Sequence, residues 1–201
     1  MQTLKTLLNM FEFSFLDVSG SFGLVAYGAL TLNFIIGMFM STGIKKTSYW
    51  KKLPPIVNKY PLLTIHNFTA YTAVSAVFLH VFFLLLDKQA GFTFSQLWNP
   101  LHFNHQPQII LLGTIGSIGF LFLLLTSQKF IKNNLRFRIW KNIHLLAYVF
   151  AISFLIHGLL MDPLLKDRPV DWLDPEKFFS EFCVLLLLAA TVLRVRYHFR
   201  R

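Results

Sequence analysis

Long uncharged runs limit the folds that this chain can adopt. Four of them can each cross a hydrocarbon core of about 30 Å, which takes about 20 residues of helix. They are Val18 to Ile44, Tyr60 to Leu86, Leu101 to Gln128 and Asn142 to Met161. A fifth run, Phe182 to Leu193, is shorter and spans a membrane if Glu181 and Arg194 snorkel to the two interfaces.

The composition agrees, because 55% hydrophobic and 14% charged residues depart from an ordinary soluble domain. The sequence therefore predicts an all-α integral membrane bundle of about five transmembrane helices, forming a single domain over residues 1–201. Residues 1–16 lack the uninterrupted apolar core of a signal peptide, and they fit either an interfacial amphipathic helix or a plain lead-in. The single cysteine, Cys183, excludes an internal disulfide.

The basic residues behind the net charge of +10 are distributed as in a membrane protein, so the charge gives no reason to expect nucleic-acid binding. Three segments between or after the apolar runs are basic and contain no acid, whereas every Asp and Glu lies in the alternate segments. The basic residues are Lys45, Lys46, Lys51, Lys52, Lys59, Lys129, Lys132, Arg136, Arg138, Lys141, Arg194, Arg196, Arg200 and Arg201. Basic loops remain cytoplasmic, so we expect an outside N-terminus and a cytoplasmic C-terminus in the bacterial inner membrane. The basic face also suits anionic lipid or an acidic partner.

Four histidines lie inside the predicted spans, where a polar side chain is costly and usually functional. His66 and His80 are fourteen residues apart, and His144 and His157 are thirteen apart, on two spans that run in the same direction. At 1.5 Å per residue the separations are about 21 Å and about 20 Å. Histidines from the two spans therefore pair at two depths. We predict two bis-histidine haem b sites, an inner site of His66 and His144 and an outer site of His80 and His157.

The two spacings differ in how they place the rings around a helix. Fourteen residues at about 100° each return to within about 40° of the starting face, whereas thirteen residues leave His157 about 140° from His144. A straight fourth span would not aim both histidines at one partner helix. We therefore expect a π-bulge, a kink or laterally offset haems.

Other residues near the predicted sites are weaker candidates. Trp140 and Tyr148 lie four residues before and after His144, where they could pack on the inner haem, bond its propionates or anchor the helix at the interface. Basic residues at the same level could pair with propionates: Lys59, Arg136, Arg138 and Lys141. His102 and His105 could bind a metal if their segment is helical, but ordinary interfacial histidines are the better interpretation.

The pattern Trp140-x3-His144-x3-Tyr148, followed by His157, resembles the ferric reductase-like transmembrane domain. That superfamily includes ferric-chelate reductases, NADPH oxidases and the haem-binding membrane subunit of the bacterial methionine sulfoxide reductase system. The two histidine spacings are similar to those of the oxidase and ferric reductase branch. Residues 107–144 look closer to the sulfoxide reductase subunit, and the resemblance covers about residues 18–197.

The resemblance implies a b-type dihaem bundle that carries electrons from the cytoplasm to an outer acceptor, with the four histidines as axial ligands. The acceptor would be ferric iron, oxygen, a quinone or a partner reductase on the outer side. The sequence contains no glycine-rich dinucleotide loop after a strand. A separate cytoplasmic flavoprotein reductase is therefore expected to supply the electrons, with the flavin on that partner.

Two alternatives differ in chemistry. A quinol-oxidising cytochrome b also carries two haems on its second and fourth helices, but its first connecting loop lies outside, whereas the basic first loop here reads as cytoplasmic. A structural subunit of a membrane complex would use the four histidines for packing only. Such a subunit would be colourless, whereas a dihaem protein is red.

Overall fold

The computed structural model describes residues 14–55, 59, 61–162, 165 and 169–199, and its architecture is a bundle of long helices. The long helices are α1 (Phe15–Thr42), α2 (Leu62–Leu86), α3 (Pro107–Thr126), α4 (Phe137–Leu145), α5 (Ala147–Leu160) and α6 (Pro175–Phe199). Helices α4 and α5 follow each other directly and form one span, so five segments are long and apolar enough to cross a membrane. The described ranges contain no strand. The all-α prediction is confirmed, and the chain is an integral membrane protein.

The helix ends follow from local chemistry at two places. Helix α1 begins after Ser14, whose hydroxyl accepts a hydrogen bond from the Asp17 N–H, and it ends at Gly43 in the left-handed region with φ 62°. Helix α6 extends beyond the predicted run 182–193 at both ends. Charged side chains at a membrane boundary are solvated there, so they do not stop a helix. The predicted interfacial helix of residues 1–16 lies almost wholly outside the described residues.

Short helical segments occupy the connections between the spans. They are Ser48–Lys51, Phe94–Trp98 and Lys129–Asn134, with 3₁₀ turns at Ile44–Lys46 and Pro100–His102. The connections that follow α1 and α3, and the last turn of α6, carry the basic residues, and we call this side of the bundle the basic end. The opposite side, which we call the acidic end, contains Asp17, Asp87 and the described residues between α5 and α6.

The spans pack as antiparallel pairs. The most extensive interface joins α1 to α2, the next joins α3 to α5, and α6 lies against α1. A central buried cluster joins the two pairs: Ala26, Tyr27, Leu30, Ala73, Ala76, Phe154 and Cys183. A second cluster covers the bundle at the acidic end: Ala90, Phe92, Phe103, Ile110 and Leu165. The buried Asp87 carboxylate links this second cluster to α1, because it accepts hydrogen bonds from the N–H groups of Leu16 on α1 and of Gln89 and Ala90.

Candidate functional site

The four span histidines lie in two groups at two depths of the bundle. Towards the basic end, the rings of His66 and His144 have centroids 6.2 Å apart and planes at 69°. Towards the acidic end, His80 and His157 both line a mainly apolar cavity of about 430 Å³. The structure therefore places His66 beside His144 and places His80 and His157 on one cavity, and these are the two pairs that the sequence spacing predicts.

The His80 ring is held by Ser19 on α1. The His80 Nδ1 lies 2.7 Å from the Ser19 carbonyl oxygen, and the Ser19 hydroxyl donates to the His80 carbonyl at 2.8 Å. A carbonyl oxygen can only accept, so Nδ1 carries the proton and donates. The lone pair is then on Nε2, which is the nitrogen available to a metal.

The His66 ring is held in the same way by Asn33. Its Nδ1 donates to the Asn33 carbonyl at 3.1 Å, and the Asn33 side-chain amide donates to the His66 carbonyl at 2.5 Å. The same amide also donates to the Thr69 hydroxyl at 3.0 Å. The lone pair of the His66 ring is therefore again on Nε2.

A glycine lies beneath each of these two rings, four residues after the acceptor. A Cβ on Gly23 would lie 3.2 Å from His80 Nδ1, and a Cβ on Gly37 would lie 3.3 Å from His66 Cε1. Helix α1 thus presents an acceptor and a glycine twice, fourteen residues apart, to two histidines fourteen residues apart on α2. Fourteen residues are close to four helical turns, so both levels of the antiparallel pair have the same geometry.

His157 has an equivalent arrangement against α3. Its Nδ1 donates to the Ile109 carbonyl at 2.8 Å, and a Cβ on Gly113 would lie 2.7 Å from the same Nδ1. We call this combination a backbone seat: a carbonyl that accepts from Nδ1, and a glycine four residues later beneath the ring. His66, His80 and His157 each occupy one.

His144 is held differently, by side chains. Its Nδ1 lies 3.5 Å from the Ser127 hydroxyl, and the Trp140 ring stacks on it at 5.2 Å with planes at 21°. The Lys132 ammonium lies over the Trp140 ring, 4.2 Å from the centroid. Within the described part of the chain, the buried Trp140 indole N–H has no hydrogen-bond partner.

The fourth span is interrupted between its two histidines. Leu146 separates α4 from α5, and the hydrogen bonds around it, from Leu146 N to Ile143 O and from Val149 N to Leu146 O, both measure 3.0 Å. These are three-residue bonds of the 3₁₀ type, which wind the chain more tightly than an α-helix. The thirteen-residue spacing led us to expect a π-bulge, a kink or laterally offset haems, and the interruption that the structure shows is a 3₁₀ turn.

The interruption also changes the surroundings of Tyr148. The expectation that Trp140 and Tyr148 share one face with His144 assumed a continuous helix. Trp140 does stack on His144, but the Tyr148 ring lies 6.0 Å from the Phe34 ring and 5.1 Å from the Arg194 guanidinium carbon. Tyr148 thus packs against α1 and α6.

The remaining candidates lie at the two ends of the bundle. The four basic residues considered for propionates are all exposed at the basic end: Lys59, Arg136, Arg138 and Lys141. At the acidic end, His102 is exposed and the His105 ring lies 5.6 Å from the Phe103 ring. The described residues contain no group of three or more His, Cys, Asp or Glu arranged to hold a metal ion.

A buried lysine borders the cavity at the acidic end. The Lys177 ammonium, on a side chain that is only 7% exposed, donates to the carbonyls of Leu159 at 3.0 Å and Met161 at 2.5 Å. A longer bond of 3.4 Å reaches the Gly158 carbonyl. These carbonyls belong to the end of α5, where the last C=O groups of a helix lack partners within it. Lys177 therefore caps α5 immediately after His157.

Aromatic rings fill the space between the two histidine levels. Phe120 is the centre of this group, with its ring 5.7 Å from Phe34 and 6.1 Å from Phe154. The Phe154 ring stacks at 5.1 Å on Tyr27, which borders the cavity. A continuous set of ring contacts thus connects Tyr148, next to the His66 and His144 level, with the His80 and His157 level.

Sequence reasoning did not identify the residues that hold the histidines. Three of the four acceptors are backbone carbonyl oxygens. Every residue has such an oxygen, so the sequence does not distinguish the residues that accept. A signal was nevertheless available, because Gly23 and Gly37 repeat the fourteen-residue spacing of His66 and His80. Lys177 was also missed, since it lies in a segment that is otherwise acidic.

Comparison with known proteins addresses the family. Neither the curated proteins nor the solved structures give a match to this chain. The profile of one family, described as "Ferric reductase like transmembrane component", matches residues 22–155. That range covers most of the chain and contains three of the four span histidines. The fourth, His157, lies two residues beyond its end. The chain therefore belongs to the ferric reductase-like transmembrane family.

Proposed function

We propose that this protein transfers electrons across the bacterial inner membrane by means of two haem b groups, one on His66 and His144 and the other on His80 and His157. The observation that carries the proposal is which nitrogen of each histidine ring carries the proton. Three of them donate Nδ1–H to a backbone carbonyl, which leaves Nε2 as the lone-pair nitrogen. Metal-binding histidines characteristically use the second ring nitrogen in this way. Ferric reductase-like domains generally bind haem.

The ring spacing at the His66 and His144 level and the cavity at the His80 and His157 level support this proposal. Two imidazoles that share one metal have their coordinating nitrogens about 4 Å apart, because each metal–imidazole bond is about 2 Å. The 6.2 Å separation of the His66 and His144 centroids leaves that space between the ring edges. The cavity of about 430 Å³ between His80 and His157 is within the 300–1,000 Å³ usual for cofactor sites.

When bound, haem b supplies an iron that takes up and releases a single electron. The protein's own residues bind, orient and enclose it. The histidines would coordinate through Nε2, the buried helices would exclude water, and the free Trp140 N–H would donate to a propionate at the basic end. Lys132, which lies over the Trp140 ring, and the exposed Arg138 supply positive charge at the same level.

The direction of transfer follows from the charge distribution. We place the basic end in the cytoplasm, because basic loops are retained on that side. A cytoplasmic donor, which we take to be a separate flavoprotein, would then deliver electrons near His66 and His144. An acceptor on the outer side would receive them near His80 and His157. The same orientation disfavours a quinol-oxidising cytochrome b.

Haem content tests this function directly. We expect purified protein to contain two b-type haems per chain, with a dithionite-reduced absorption band. Each of His66→Ala and His80→Ala should lose one haem, and the matched control His102→Ala, at an exposed histidine outside the bundle core, should keep both. A colourless wild-type protein would refute electron transfer and favour the structural subunit. Loss of both haems in His102→Ala as well would show that the assignment of ligands is wrong.

A further inference from the structure

Helix α3 shows how the surroundings of His144 differ from the backbone seats of the other three span histidines. The backbone seat of His157 uses the Ile109 carbonyl and Gly113, and fourteen residues further along α3 the corresponding positions are Leu123 and Ser127. Helix α3 ends at Thr126, so Ser127 lies at its C-cap. The Leu123 carbonyl already accepts from the Ser127 N–H and from the Thr126 hydroxyl, each at 3.1 Å. At this level Ser127 occupies the position of the seat glycine, and its hydroxyl, in place of a carbonyl, lies beside His144 Nδ1.

The substitution of a hydroxyl for a carbonyl has a chemical consequence. A carbonyl only accepts, which fixes the proton of His66, His80 and His157 on Nδ1. The Ser127 hydroxyl can accept or donate, and its 3.5 Å distance from His144 Nδ1 is the longest of the four. The other neighbour of the ring is also a side chain, because Trp140 stacks on it. Of the four span histidines, His66, His80 and His157 have a backbone carbonyl at Nδ1, whereas the partner of His144 Nδ1 is a side-chain hydroxyl.

We propose that Ser127 is the positioning residue of His144 and that its hydroxyl, by accepting from Nδ1–H, sets the basicity of this ligand. The proposal rests on the haem ligation proposed above. A hydrogen bond from Nδ1–H makes the coordinating nitrogen a stronger donor, and such a bond is one of the ways in which proteins adjust haem potentials. A stronger donor stabilises the ferric state and lowers the midpoint potential. One side chain then adjusts one haem without changing the other.

Potentiometric titration of the purified holoprotein tests this assignment. The haem of His66 and His144 is identified as the spectral component that His66→Ala lacks. We expect Ser127→Ala to raise the midpoint potential of this component and to leave the other component unchanged. Ser127→Thr keeps a hydroxyl and should retain the wild-type value. The matched control is Thr72→Ala, which removes a hydroxyl on α2 that bonds the Phe68 carbonyl.

The outcomes separate this inference from the function on which it depends. If Ser127→Ala keeps both haems with both potentials unchanged, or shifts both equally, the inference is overturned while the dihaem function stands. If Ser127→Ala loses the His66 and His144 haem, restoration by Ser127→Thr supports positioning, and failure of Ser127→Thr to restore it overturns the inference. A wild-type protein without haem refutes the function itself.

Discussion

At the scale of single residues, the chemistry depends on the nitrogen atom that each histidine leaves free. The four histidines and their pairing could be predicted from sequence, because polar residues are rare inside apolar spans and their spacing sets their depth. Their acceptors could not be predicted, since the Ser19, Asn33 and Ile109 carbonyls are features of the backbone. The geometry that selects Nε2 is therefore visible only in the structure.

The glycine of a backbone seat offers a direct test. Gly113→Ala would place a Cβ 2.7 Å from His157 Nδ1, which is too close to be accommodated without moving the ring. We expect this variant to lose the haem proposed for His80 and His157 and to keep the one proposed for His66 and His144. In the control Gly116→Ala, the new Cβ would have ordinary contacts of 3.4–3.5 Å, so both haems should remain. The measurement is the haem-to-protein ratio, and equal ratios in the two variants would contradict the seat.

At the scale of helices, the sequence predicted the spans well and their irregularities poorly. Five apolar runs identify five spans, because only helices of that length satisfy the backbone in a bilayer. The thirteen-residue spacing predicted that the fourth span departs from a straight helix, but it could not place the departure at Leu146. The missing rotation can be absorbed at any turn between the two histidines.

The end of α5 provides a test of the buried lysine. Lys177→Gln should destabilise the protein by about 1.5–3 kcal/mol, the range for hydrogen bonds to charged groups, because it leaves the terminal carbonyls of α5 with weaker partners. The matched control is Lys88→Gln, at an exposed lysine of the same acidic end, which should change stability little. Thermal unfolding in detergent measures both. Equal melting temperatures for the two variants would show that Lys177 does not cap α5.

The aromatic packing between the two levels can be tested on α3. Phe120→Ala should lower stability by about 2–3 kcal/mol, less than the 3–5 kcal/mol of a fully buried phenylalanine because Phe120 is half-buried. The control Phe122→Ala, whose side chain is 45% exposed on the outside of the same helix, should cost much less. Chemical denaturation in the same detergent gives the comparison. A larger effect at Phe122 would mean that the interior contacts of α3 are misassigned.

At the scale of the whole molecule, two antiparallel helix pairs face each other and each supplies one histidine to each level. The sequence predicted this arrangement in outline, because the alternation of basic and acidic connections fixes which spans run in parallel. It did not predict that α6 lies against α1, since an apolar helix shows no preference among apolar neighbours. Tertiary packing in this bundle depends on the shapes of the helix faces, which the pattern of apolar residues does not specify.

The orientation of the bundle can be measured with two matched lysines. We expect Lys88→Cys, at the acidic end, to react with a membrane-impermeant maleimide in intact cells, and Lys52→Cys, at the basic end, to react only after permeabilisation. Both lysines are exposed, whereas the native Cys183 is buried and provides a low background. Labelling of Lys52→Cys in intact cells would place the basic end outside and would contradict the proposed direction of electron transfer.

The backbone seats also have a consequence for how such a protein diverges. Where a main-chain carbonyl orients a histidine, almost any residue can occupy that position, because every residue brings the same oxygen. At the seat of His157, only the glycine beneath the ring and the histidine itself are restricted, so related proteins can differ freely at Ile109 while the ring geometry persists. Ser19 and Asn33 are more restricted, because their side chains also donate to the carbonyls of His80 and His66. We expect distant homologues to share the histidines and the glycines beneath their rings. The residue at Ser127, which contacts His144 through its side chain, should vary with the midpoint potential that each protein requires.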